Sequence, residues 1–305
     1  MAIKHGELVL VGLRELDKVV SDGTVWRQAG DLSYLSFPSL EGDDLFHAFF
    51  SRRGGVSREP FASLNLGLHV GDGAEEVLTN RRLALDVAGA PLPSLVAGQQ
   101  VHGTRIHRVT RAEAGRGGRS AADAIPETDG LVTDVPGLVL ASFAADCAVI
   151  VALDRRRRVI GLAHAGWRGT LGGIAAKLVE GMRDLGAEPD QIEAVINPSL
   201  GPCCMEVGGE VIKEAETKLP GLVADPAEGV FWRKLRRSGG HQGEGSKYLF
   251  NLWAVNQAIL EGAGLSPVRI RVAGLCTYCG DSSLLYSYRR EGGRCGRHGV
   301  LLRLA

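Results

Sequence analysis

No stretch of this 305-residue chain approaches the roughly 20 consecutive apolar residues that a membrane-spanning helix needs. The apolar piece near its start, Leu8–Leu13, is short and runs at once into Arg14, Glu15 and Asp17, so no export leader is read there and a cytoplasmic location is expected. An excess of charge of one sign is also missing. Thirty-five Lys+Arg balance 35 Asp+Glu, which leaves no electrostatic case for nucleic acid or an anionic membrane as partner. The basic runs at 155–158 and 233–237 read instead as a solvated turn and an exposed loop or helix face. Eight histidines contain no His-x-His pair and only three methionines are present, which argues against a site for four-electron oxygen chemistry on several copper ions. Without a leader, the six cysteines are expected as reduced thiols or metal ligands, not as a disulfide framework.

What the chain does have is ample core material, with 45% hydrophobic and 23% charged residues. Its most informative stretch is 141–170. Two apolar runs, 148–153 and 159–163, flank a charged turn, and so short a connection predicts an antiparallel hairpin. With Asp154–Arg157 as the loop, Leu153 faces Arg158 and Cys147 falls opposite His164, on the same face. Such a pair is a metal corner, a nucleophile and its base, or simply a packed thiol beside a satisfied core histidine. A one-residue slip would separate the two, because it moves every side chain to the other face.

Around this hairpin the chain reads as follows. Residues 1–44 are a weakly patterned N-terminal extension with a possible hairpin, and 45–305 are read as a single domain. Leu45–Ser51 is a strand that enters the turn Arg52-Arg53-Gly54-Gly55, where backbone N–H groups and an arginine could face an anion. Asn65 sits in a second turn that could serve backbone or ligand. Glu75–Ala88 is a helix stopped by Gly89 and Pro91. His102 lies in a glycine-flanked turn, where a ligand role is more credible than for a core histidine. Residues 111–128 are expected as a mobile loop. Short strands follow at Asp129–Thr133 and Leu138–Phe143. Beyond His164, one apolar stripe from Trp167 to Leu185 predicts a single helix, with Arg168 at an N-terminus suited to phosphate or carboxylate. A strand at Ile192–Ile196, helices at 209–219 and Leu249–Leu260, and strands at Val268–Leu275, Leu284–Tyr288 and Gly299–Leu304 complete the pattern, with an irregular stretch at 220–247.

Two metal sites compete. Cys276-x2-Cys279-x15-Cys295-x2-His298 has nearly the spacing of a closed structural zinc ribbon. Cys203 and Cys204, being adjacent, are expected as packed thiols. The rival set is His102, Cys147 and His164, which would leave one tetrahedral zinc position open, as catalytic sites do. Asp146, next to Cys147, could orient a ligand or move protons.

A series of short motifs then runs in order: FSRRGGVS (50–57), SLNLG (63–67), HVGD (69–72), NR (80–81), QVHGT (100–104) and ADC (145–147). HAGWRG (164–169), GPCCMEVG (201–208), CT (276–277), SYRR (287–290) and GR (296–297) continue it. Over about residues 45–304 the set resembles the YfiH/laccase-domain family, whose labels include polyphenol oxidase and purine nucleoside phosphorylase. The resemblance implies an α+β fold of layered mixed β-sheets flanked by helices. It also implies zinc on His102, Cys147 and His164, with copper the lesser option. Phosphorolysis of adenosine, inosine and methylthioadenosine would be the activity, with adenosine deamination beside it, and a purine nucleoside and phosphate the partners. Cys147 and Asp146 then become catalytic candidates, and Arg52, Asn65, Gln100 and Arg168 substrate contacts. The alternatives are a metal-free Cys/His hydrolase acting on a cell-wall precursor, a copper polyphenol oxidase, and a non-catalytic scaffold.

Overall fold

A computed structural model of the chain describes residues 18–20, 23–220, 231–235 and 246–305. In chain order the strands are β1 (Lys18–Val20), β2 (Thr24–Ala29), β3 (Leu32–Ser36), β4 (Leu45–Phe50), β5 (Leu95–Ala97), β6 (Ile106–Arg108), β7 (Gly130–Thr133) and β8 (Val139–Ala144). They continue with β9 (Ala148–Asp154), β10 (Val159–Ala165), β11 (Glu193–Ile196), β12 (Glu206–Gly208), β13 (Trp232–Lys234), β14 (Lys247–Phe250), β15 (Ile270–Val272) and β16 (His298–Leu304). The α-helices are α1 (Ala74–Val87), α2 (Trp167–Leu171), α3 (Ile174–Arg183), α4 (Gly209–Lys218) and α5 (Leu252–Gly262).

Continuous apolar runs such as Ala148–Leu153 suit strands covered on both faces, and every residue of β9 and β10 is buried. The reason is a stack of two sheets between two helical layers. One sheet has the order β1-β2-β3-β4-β16-β8-β5, the other β15-β11-β9-β10-β7-β6, and β12-β14-β13 form a small third. Most pairs are antiparallel, but β5 with β8, β6 with β7 and β11 with β15 run parallel. Leu35, Phe49, Leu140 and Val300 of the first sheet share one apolar cluster with Val149, Val151, Ile160 and Leu162 of the second. Strand alternation sends Ile150, Ala152 and Ala163 the other way, onto Ile174, Leu178 and Met182 of α3 and Val255 of α5. On the far side Ala48, Phe50, Ala141 and Leu301 meet Leu78, Ala84 and Leu85 of α1. The architecture is the expected α+β arrangement of layered mixed sheets flanked by helices.

Several local expectations change. Strands β2 and β3 make the hairpin anticipated in the N-terminal stretch and extend the first sheet through β4. The single helix after His164 is two, α2 and α3, because Gly173 adopts φ +80° and Thr104 Cγ2 stands 2.5 Å from where a Cβ on Gly172 would lie. Residues 284–288 form an irregular segment between two turns, not a strand, although Leu285 and Tyr286 are buried. The segment 111–128, expected to be mobile, is tied down: the buried Arg81 guanidinium donates to the carbonyls of Gly117 and Gly118, and Gly117 N donates to Asp123. Of the irregular stretch at 220–247, residues 221–230 and 236–245 lie outside the described residues, as does Leu8–Leu13.

Leu162 is 1% exposed between the two sheets. Leu162→Ala is expected to destabilise the protein by about 2–5 kcal/mol, through lost burial and a residual cavity. Arg156→Ala, in a surface pair with Glu188 at 71% exposure, should be close to neutral. Urea denaturation midpoints at unchanged slope would measure both.

Candidate metal centre

The hairpin forms one residue later than the spacing suggests. Asp154 pairs with Val159 within the ladder, so the loop is Arg155–Arg158. Asp154 is held there because its carboxylate accepts from Arg157 N at 2.9 Å and from Glu188 N at 2.9 Å. His164 therefore pairs with Val149, and the register carried outward sets Cys147 opposite Gly166. The shift is two residues of register, which preserves the face, so Cys147 lies diagonal to His164 and not directly across. Gly166 is where the site needs space. A Cβ there would stand 2.8 Å from His102 Cδ2 and 3.0 Å from Cys147 Sγ.

The third residue arrives on the loop before β6. His102 Nε2 lies 3.7 Å from Cys147 Sγ, and the two histidine rings meet edge to face at 4.9 Å. One donor atom from each of His102, Cys147 and His164 lies within 4.8 Å of the others. His164 is buried, Cys147 half-buried and His102 exposed, so the set opens to solvent on one side. His102 has φ +60°, an uncommon conformation for a residue with a Cβ. What holds it is Asp129, which no motif had singled out. Its buried carboxylate accepts from the backbone N–H of Val101, His102 and Gly103 at 3.1, 3.0 and 2.8 Å. The same carboxylate meets His164 Nδ1 at 2.9 Å, which directs Nε2 toward the thiol. Burial opposes its ionisation, but His164 and these N–H groups hold Asp129 below the usual carboxylate range.

Cys147 and His164 charge each other. Burial disfavours both ions, yet the neighbouring His164 draws the Cys147 thiol down to about 6, and the Cys147 thiolate and Asp129 draw His164 up to about 9. Before any metal binds, both shifts favour a thiolate beside an imidazolium. The donor set fits a metal: a thiolate and two imidazoles converge, one imidazole has its other nitrogen on a carboxylate as ligand histidines do, and a glycine leaves the space.

The other sequence candidates lie as follows. Asp146, at φ +82°, accepts from Thr277 Oγ1 at 2.6 Å and Arg289 N at 2.7 Å, so its carboxylate braces the turn that carries Cys147. Gln100 is clamped on Phe143, donating to its carbonyl and accepting its N–H at 2.9 Å each. Arg168 is exposed and lies over the Trp167 ring at 4.2 Å; α2 itself is a five-residue helix. Arg52 binds the carbonyls of Ala62 and Ser282 and the Glu291 carboxylate. The turn after it satisfies its amides internally, Gly55 N on Ser63 and Val56 N on Asn80, so no anion nest forms there. Asn65 is fully buried and joins Gly67, Asp72 and Arg297 N. A cavity of about 230 Å³ adjoins the His102 loop, lined by Gln100, Val101, Phe143, Arg81 and His69 among others. Burial, with the charges of Arg297 and Arg81 beside it, pushes His69 down to about 4; its HVGD motif was the available signal.

The zinc-ribbon pairing does not form. His298 is buried with Nδ1 on Phe50 O and Nε2 accepting Tyr286 N, and Cys295 packs with Ala145 and Tyr286.

Residues 46–305 match the family described as multi-copper polyphenol oxidoreductase laccase. The chain is 38% identical over 248 residues to Purine nucleoside phosphorylase YlmD of Geobacillus stearothermophilus, covering 81% of this chain and 85% of that protein. It is 34% identical over 273 residues to Adenosine deaminase RL5 of an unknown prokaryotic organism, covering 88% and 96%. The crystal structure of hypothetical protein YfiH from Bacillus licheniformis superposes with a TM-score of 0.81 at 34% identity, covering 92% of this chain and 99% of that one.

Two outcomes are expected. Asp129→Asn should weaken metal retention about 10–100-fold in chelator competition, since it removes the carboxylate that fixes His164 and the His102 loop. In metal-stripped protein, alkylation of Cys147 followed by peptide mass spectrometry should persist down to about pH 6, because a depressed thiol stays ionised above that value. An ordinary thiol would already slow below about pH 8.5.

Proposed function

The chain belongs to the multi-copper polyphenol oxidoreductase laccase family, and from that membership and the geometry above we propose that it is a zinc-dependent purine nucleoside enzyme. The observation that carries the reading is the open three-donor set of His102, Cys147 and His164, with Gln100 and Val101 of the His102 loop lining a cavity. Among the described residues it is the only metal-competent group that contains histidine. That argues against the several copper ions in the family's descriptive name, and two imidazoles with one thiolate suit zinc.

The reaction assigned is phosphorolysis of adenosine, inosine or methylthioadenosine. A phosphate oxygen bonds to C1′, the N-glycosidic bond breaks, and the base leaves with a proton. Adenosine deamination is the second activity, with water adding at C6 and ammonia leaving. When bound, the metal polarises a substrate oxygen or supplies a nucleophilic water near neutral pH. Asp129 keeps both histidines in place and fixes the tautomer of His164. Asp146 holds the turn of Cys147 and is the candidate for proton movement. Arg168, exposed beside the site, is assigned to the phosphate. Gln100, and Arg52 and Asn65 through the loops they tie, shape the wall that receives the nucleoside. Among the described residues no helix is long and apolar enough to cross a membrane.

One observation favours a second reading: without metal, Cys147 and His164 are already an activated thiolate and its partner, as a cysteine hydrolase acting on a cell-wall precursor would need. A single set of incubations separates the two. Adenosine with phosphate should give adenine and ribose 1-phosphate, and adenosine alone should give inosine. Both should fail after chelation, return with zinc, and fall on the order of 10²-fold or more in Cys147→Ser. Turnover that survives complete metal removal but not alkylation of Cys147 supports the hydrolase, and no product under any condition supports a scaffold.

A further inference from the structure

The four cysteines that the His102 site does not use, and that are not packed against Tyr286, converge from two distant segments. Cys203 and Cys204 lie in the rigid loop after β11, and Cys276 and Cys279 lie after β15, more than seventy residues later. One sulfur from each lies within 4.8 Å of all the others. Cys203 Sγ and Cys279 Sγ are 3.5 Å apart. Sulfurs around a tetrahedral zinc with bonds of about 2.3 Å stand about 3.8 Å apart, whereas a disulfide holds its sulfurs at about 2.05 Å. Cys203 and Cys279 are exposed and Cys204 is half-buried. Cys203 is therefore not the packed thiol its position suggested, whereas Cys204 does pack against the core.

The local backbone is that of a metal knuckle. In Cys276-Thr277-Tyr278-Cys279-Gly280 the chain turns so that Gly280 N donates to Cys276 O at 2.8 Å. A Cβ on Gly280 would stand 2.5 Å from that same oxygen, so the tight turn requires glycine. Gly201 N points at Cys276 Sγ at 3.3 Å, a hydrogen bond that favours thiolate over thiol. The segments are already joined by backbone bonds, Ser199 N to Leu275 O and Thr277 N to Ser199 O. Four thiolates around a divalent cation leave a double negative charge. Two guanidinium groups bind the backbone that carries it: Arg289 donates to Cys204 O at 2.9 Å, and Arg290 donates to the carbonyls of Thr277 and Tyr278 at 2.7 and 3.0 Å.

We propose that Cys203, Cys204, Cys276 and Cys279 form a second, closed site for one zinc ion, which staples the loop after β11 to the turn after β15. The site is structural because all four positions are filled by protein. Its location gives the staple a purpose. Thr277, between two of the ligands, donates to Asp146 Oδ1, Arg289 N donates to Asp146 Oδ2, and Leu200 N donates to Asp146 O at 2.8 Å. Asp146 adjoins Cys147. The second metal thus fixes the frame on which the Cys147 turn is built.

Metal content tests this without any assay of turnover, so it stands apart from the assigned reaction. Protein purified under reducing conditions should carry two zinc ions per chain by mass spectrometry of the elements. Cys203→Ser and Cys279→Ser, both at the exposed side of the cluster, should each carry one. The double variant His102→Ala/Cys147→Ser, which removes two of the three donors of the other site, should also carry one. When that last protein is loaded with cobalt(II), it should show the intense sulfur-to-cobalt absorption of an all-thiolate site, and adding Cys279→Ser should abolish it. A metal-free His102→Ala/Cys147→Ser protein whose remaining thiols all titrate with a thiol reagent would falsify the proposal. So would a Cys203–Cys279 disulfide in the native protein.

Discussion

The geometry of the metal centre depends on one carboxylate. Asp129 sits at the end of β7 and receives four hydrogen bonds, three from consecutive amides of the His102 loop and one from His164. Each partner alone would be poorly determined. A histidine in a left-handed conformation on an exposed loop has no packing to fix it, and an imidazole at a strand end can turn over. A buried anion that several donors surround is costly to leave unpaired, so the loop and the ring are held together or not at all. The carboxylate also sets the charge of the site. Before any metal binds it favours a positive His164, whose charge favours the Cys147 thiolate; a bound metal would take the place of the proton on His164 Nε2 while Nδ1 stays on Asp129.

This arrangement works because the sheet beneath it is rigid. β9 and β10 are packed on both faces, against the first sheet on one side and against α3 and α5 on the other. Cys147 and His164 lie at the hairpin's open end, where Cys147 and Ala165 still pack on the core and the donor atoms turn to the site. Chemistry begins where close packing ends, and the ligand positions inherit the precision of the ladder. The neighbouring loops are knitted to one another in the same manner, Asn65 to Arg297, Gln100 to Phe143 and Thr277 to Asp146.

Much of this was legible from residue order. The hairpin, its buried strands, the His102 turn and the layered α+β class all follow from apolar runs, glycine punctuation and an ordered set of motifs. The turn position was off by one residue, because a buried Asp154 joins the ladder through bonds to Arg157 and to the distant Glu188, which the sequence does not reveal. Asp129 escaped for a related reason. An acid that accepts backbone amides from another loop leaves no periodic or compositional trace. The cysteines show the opposite error. Short spacings suggested a ribbon closing on Cys295 and His298, but His298 is committed to Phe50 and Tyr286, and Cys276 and Cys279 find partners some seventy residues upstream. Chain proximity is a poor guide when a parallel strand pair, here β11 with β15, brings remote loops side by side.

Gly166 has a bearing on how such a protein can change over generations. Its backbone, at φ −65° and ψ 167°, is open to any residue, so nothing in the fold insists on glycine there. Only the space shared with His102 and Cys147 does. Every glycine codon becomes an alanine codon by one base change, and the resulting methyl group would fill the ligand space while leaving sheets, helices and surface loops as they are. This chain therefore stands a single mutational step from a descendant that keeps its shape and its partners but has lost its chemistry. In lineages where the fold comes to serve as a binding surface, this is the position at which that loss would be recorded first.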